Sequence, residues 1–114
     1  MTDNDMNDLT ALQYLLKRYA EFSLQGSDSA VKALLPEITQ LMGTVFPKII
    51  NSYENPLLER FREDKEYWIG QLKRIMDVLS GEDMMAKIDI LYFETYKNLQ
   101  EYQEILQEEG IAWD

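Results

Sequence analysis

Carboxylates are the only abundant reactive groups in this chain. Of its 114 residues, 21 are Asp or Glu against 11 Lys or Arg, and neither His nor Cys occurs. Thiolate nucleophiles, disulfides and Cys-ligated metals are thereby excluded, as are His-based triads, His-ligated zinc and His-containing di-iron centres. What remains is acid–base or metal chemistry by Asp and Glu, amine chemistry by Lys, and the hydroxyls of Ser, Thr and Tyr.

Two stretches concentrate the acids. Glu59, Glu63, Asp64 and Glu66 alternate with Arg60, Arg62 and Lys65. Arg60 with Asp64 and Arg62 with Glu66 stand four apart, the spacing of ion pairs on one helix face, so this stretch reads as a self-neutralising, solvated surface. Glu101, Glu104, Glu108 and Glu109 have only Lys97 nearby. At the C-terminal end of a helix that charge opposes the macrodipole, which makes these four glutamates a candidate acidic contact for a basic partner. Lys65 falls within an apolar ladder; its stem is expected to cover apolar surface while its head reaches solvent, rather than to form a desolvated catalytic amine. Catalytic metal sites usually mix in His, so a carboxylate-dependent metal enzyme is the weakest functional reading. No catalytic, cofactor-binding or metal-ligating residue is assigned, no cofactor is expected, and the chain is read as a non-enzyme.

The net charge of −10 disfavours a phosphate backbone or an anionic membrane as a direct partner. No apolar run of about 18 residues occurs, and the first dozen residues lack the layout of a signal peptide, so a cytoplasmic location is the expectation. With 46% hydrophobic residues the chain is too apolar for disorder and long enough for one core, hence a single domain over 1–114.

Three prolines and five glycines are too few for the turns of an all-β domain. The apolar spacing instead predicts an all-α, antiparallel up-down-up-down four-helix bundle, with helices over about 8–24, 28–51, 56–80 and 83–109. Residues 1–7 read as a flexible N-terminus and 110–114 as a tail whose Ile111 and Trp113 fold back. Leu9, Leu12, Leu16 and Tyr19 form the first stripe; Val31, Leu34, Ile38, Leu41, Val45 and Ile49 the second. The third runs through Leu58, Phe61, Lys65, Trp68, Leu72, Ile75 and Leu79. The fourth carries Met85, Ile88, Leu91, Tyr92, Thr95, Leu99, Tyr102 and Leu106 inward. Ser27, Asn55 and Asp83 are the expected N-caps, and Gly26 and Gly110 the stops. Pro36 and Pro47 sit inside the second helix, but with Gly43 they cluster opposite its apolar stripe, so one curved helix is expected over a break.

Some apolar residues fall off these stripes: Ile90 and Phe93 on the fourth helix, Tyr14 on the first, Tyr67 and Val78 on the third. They are the candidate partner contacts. The Leu34-Leu35-Pro36-Glu37-Ile38 run, the run from Ile88 to Glu94 and the order of elements resemble small uncharacterised bacterial helical-bundle proteins. More distantly, the whole chain is similar in size and amphipathic layout to flagellar export chaperones. That resemblance is one of shape and transfers no site residue. The expected function is a non-catalytic protein–protein interaction module, adaptor or chaperone-like, holding an amphipathic partner segment. The alternative is an acidic inhibitor that mimics nucleic acid and binds a basic protein. Long apolar seams are also compatible with a homodimer.

Overall fold

The computed structural model describes residues 7–59 and 65–113. The regular structure of the described residues is all helical, without a strand: α1 (Asp8–Leu24), α2 (Asp28–Ser52), α3 (Pro56–Glu59), α4 (Lys65–Leu79), α5 (Met84–Ile88), a π-helical segment (Asp89–Tyr96) and α6 (Lys97–Glu109). Backbone angles at Asp89 and Tyr96 stay right-handed helical, so α5, the π-segment and α6 are one continuous rod. Asp3, Asp5, Arg60, Phe61, Arg62, Glu63 and Asp64 lie outside the described residues, and with them the proposed ion pairs and the continuity of the third helix.

α1 packs on α2, on α5, on the π-segment and on α6, while α4 packs on α2, α5 and the π-segment. The buried apolar residues form one cluster. Leu9, Leu12, Leu16 and Tyr19 fill it from α1, as their spacing predicts; Ile38, Val45, Phe46 and Ile49 from α2; Trp68 and Ile75 from α4; Leu99, Tyr102 and Leu106 from α6. α2 runs unbroken through Pro36 and Pro47, which with Gly43 face solvent. Each proline removes a hydrogen bond to the carbonyl four residues back, but on that side water takes its place. The buried stripe of α2 is rotated slightly from expectation, with Met42 and Phe46 buried and Leu34 and Leu41 half-buried.

The helix ends show which signals operate. Asn55 Oδ1 accepts from the Leu57 amide at 2.9 Å and Asp83 Oδ1 from the Ala86 amide at 3.1 Å, as N-caps do. Ser27 does not cap α2 with its side chain. Its amide instead closes α1 by donating to the Phe22 carbonyl at 2.9 Å, beside Gly26 at φ 76°, and that closure sets its backbone. Asn7, read as part of a flexible tail, is the cap of α1 and accepts from the Thr10 amide at 2.9 Å. Gly110 is left-handed at φ 68°, with the Ile111 amide donating to Leu106 O at 2.8 Å. That turn brings Trp113 edge-on to Tyr102, 6.1 Å between centroids, and under the Lys48 ammonium at 5.4 Å.

The largest departure lies in the last rod. Ile90, expected to face outward, is 2% exposed. Hydrogen bonds spanning five residues place more residues in each turn than an α-helix does, so the wheel drawn from Leu99, Tyr102 and Leu106 lags across the π-segment and carries Ile90 inward beside Leu91. At the start of the rod Met85, expected inside, is exposed.

Candidate functional site

The π-segment is held in place from α4. Thr95 is fully buried, and its hydroxyl donates to the carbonyl of Ile90, five residues back, at 2.7 Å. That spacing is the π-helical one, so side chain and backbone enforce the same register. Gln71 of α4, 2% exposed, donates its amide to the Thr95 hydroxyl at 3.1 Å. Arg74, one turn on, reaches back to Gln71 Oε1 at 3.4 Å and grips both carboxylate oxygens of Glu94 at 2.8 and 3.0 Å. Glu94 holds the Arg74 proton more firmly than usual, through the hydrogen bond first and then its charge. A neutral pair inside and an ion pair at the rim thus tie one helix to the other.

On its outer side the same segment presents aromatic surface. Tyr92 and Tyr96 stack at 5.1 Å and 22°, and Phe93 meets Tyr92 edge-on at 5.2 Å. Both tyrosines are half-buried, whereas Phe93 is 59% exposed. Gln100 steadies Tyr96 by donating to its hydroxyl at 3.1 Å. The patch has a rigid base and an exposed tip.

Of the candidate contacts, Phe93, Tyr14 and Tyr67 are exposed. Ile90 is in the core, as described, and Val78 is half-buried against it, since it follows the buried Ile75 by three residues along the same face. Tyr67 is anchored: its ring lies edge-on to Trp68 at 5.9 Å and its hydroxyl accepts from Asn98 at 2.8 Å. Neither Ile90 nor Val78 can join Phe93 in one exposed surface. Tyr92 and Tyr96 do join it; the sequence reading places Tyr92 on the inward stripe of the fourth helix and does not single out Tyr96, although Tyr96 stands three residues from Phe93 on the same helical edge.

Glu101, Glu104 and Glu108 are exposed along α6, and Glu109 is half-buried. Among the described residues no group of three or more carboxylates is arranged to hold a metal ion. Lys65 is exposed. A second interior polar cluster lies at the Tyr53 end: the Trp68 indole donates to the Tyr53 hydroxyl at 2.9 Å, and the Ser52 and Tyr102 hydroxyls are 2.6 Å apart. Burial pushes the Tyr102 phenol up, as it does that of Tyr19. No helix among the described residues is long and apolar enough to cross a membrane.

No family model, no curated protein and no solved structure matches this chain.

Proposed function

We propose that the long helices form an antiparallel up-down-up-down four-helix bundle that acts in the cytoplasm as a non-catalytic interaction module, an adaptor or chaperone-like carrier of an amphipathic partner segment. The observation that supports this reading is Phe93, 59% exposed on a braced aromatic patch. An exposed aromatic ring on a rigid base loses little conformational freedom on binding and removes a large apolar area from water, the character of an interface anchor. The test is a photo-crosslinking amino acid placed at position 93 in cells, with position 40 on the outer face of α2 as the control. One protein captured at 93 and absent at 40, and lost when Tyr92 and Tyr96 are replaced by Ser, supports the reading. Equal capture at both positions, or none, sinks it.

A second reading is supported by a different observation, the exposed Glu101, Glu104 and Glu108 on α6. Here the partner is a basic protein and the acidic end is the contact. Binding then weakens steeply with salt, whereas an apolar anchor at Phe93 is salt-tolerant. Glu104→Lys with Glu108→Lys abolishes binding under this reading alone. Light scattering of the pure protein separates both from a homodimer built on the same surface.

A further inference from the structure

We infer that the cleft between the two hairpin turns is a binding site for a free α-amino acid with an apolar side chain. The cleft holds about 210 Å³. Its floor is apolar: Tyr19 of α1, Val31 and Leu35 of α2, and Met84 at the start of the last rod. Tyr19 and Val31 are 1% and 8% exposed, so the floor is part of the core surface, and Met84, 46% exposed, forms a flexible wall. Around this floor stand four charges: Asp28 and Lys32 on α2, Glu82 and Lys87 on the opposing hairpin.

None of these four is engaged in an ion pair; those among the described residues are Arg18 with Glu21, Lys48 with Asp8 and Arg74 with Glu94. Each wall of the cleft therefore brings one uncommitted acid and one uncommitted lysine. A simple anion or cation would gain from one pair and be opposed by the other. A ligand carrying both an ammonium and a carboxylate satisfies both, with the acids receiving the ammonium and the lysines the carboxylate. The volume is below the roughly 300–1,000 Å³ of sites for drug-sized molecules, which fits one amino acid with its side chain on the apolar floor. By comparison, the hollow beside Trp113 has Lys48 as its only charged lining residue among the described residues, and that lysine already faces Asp8.

The test uses the intact chain with its methionine methyl groups isotopically labelled for NMR. Leucine, valine, methionine and phenylalanine are titrated in turn, with isopentylamine and 4-methylpentanoate as the amine-only and acid-only relatives of leucine. At least one amino acid is expected to shift the Met84 methyl saturably while the Met42 and Met76 methyls stay in place. Each single-charge relative of leucine binds at least roughly tenfold more weakly than leucine, the equivalent of one lost charge-assisted hydrogen bond. Lys87→Gln at a half-buried position and Glu82→Gln at an exposed one each weaken binding of the best amino acid by a similar factor. The inference is overturned if no amino acid gives a saturable Met84 shift, if the relatives bind as well as leucine, or if the two variants bind unchanged. Binding lost through unfolding is recognised by the Met42 resonance, which reports the core.

Discussion

α2 and the rod formed by α5, the π-segment and α6 are the two longest helical stretches, and they treat irregularity in opposite ways. α2 contains two interior prolines and remains an α-helix for 25 residues. The last rod contains neither proline nor glycine, yet eight of its residues adopt π geometry. The difference lies in which side of the helix carries the conflict. Pro36 and Pro47 remove donors on the solvent side, where water replaces the lost bond. In the last rod the conflict is on the core side. Ile88, Ile90, Leu91 and Thr95 are all buried, and an α-helix with Leu99, Tyr102 and Leu106 inward would turn Ile90 out. Widening the helix buries Ile90, and the Gln71 to Thr95 to Ile90 chain of hydrogen bonds satisfies the polar groups that come with it.

The largest test of this contrast is to charge each side of the π-segment in turn. Ile90→Asp places a carboxylate in the core and is expected to lower stability by about 4 kcal/mol or more, whereas Phe93→Asp changes it by less than about 0.5 kcal/mol. Urea unfolding of the two variants decides; equal effects would mean that Ile90 faces out. Next in size is a gain. Pro47→Ala restores a donor to an exposed position of a continuous helix and is expected to raise stability by about 2 kcal/mol, the helix-propensity difference less the entropy that proline removes from the unfolded chain. A loss would show that α2 depends on its proline for curvature. Thr95→Val leaves the Gln71 amide unsatisfied and removes the register bond, a loss of about 1–2 kcal/mol that Gln71→Leu in the same chain partly relieves. Additive losses would show that the two side chains do not act as a pair.

Alkaline titration tests the burial of two interior phenols. Burial lifts Tyr19 and Tyr102 above the ordinary phenol value of 10.0. The folded chain therefore holds these two protons more tightly than the unfolded chain, a contribution that is complete below that ordinary value and is lost as pH rises through the folded values. Tyrosinate absorbance is expected to show these two phenols ionising above that ordinary value, together with unfolding. The smallest effect is at Ser27, where the hydroxyl makes no cap: Ser27→Ala is nearly neutral, against a loss of about 1 kcal/mol for Asp83→Ala.

Much of the architecture was legible. The 3,4 spacing of Leu9, Leu12, Leu16 and Tyr19 specifies a helix and its buried face together, because both follow from one rotation per residue. The caps at Asn55 and Asp83 and the stop at Gly110 are local chemistry and were readable for that reason. Ser27 misled because two adjacent motifs compete for it, and closing α1 takes its backbone. The candidate site was less legible. Phe93 and Tyr14 are exposed as their wheel positions imply, but pairing Ile90 with Phe93 assumed an α-helix, and nothing in the run from Ile88 to Tyr96 announces π geometry. A buried Thr five residues after a buried Ile was the one available sign, and it gains meaning only with Gln71 opposite.

What the sequence by itself determined is the helical class, most of the element ends, the absence of His and Cys chemistry and the strongly acidic charge, all set by residue type and short-range spacing. What only the tertiary structure decided is the register of the last rod, and with it which aromatic rings reach solvent and which charges surround the cleft. These depend on side chains far apart in the chain meeting at fixed distances: Gln71 with Thr95, Arg74 with Glu94, Tyr53 with Trp68. Such meetings fix the rotation of one helix against another, which the periodicity within any single helix leaves open.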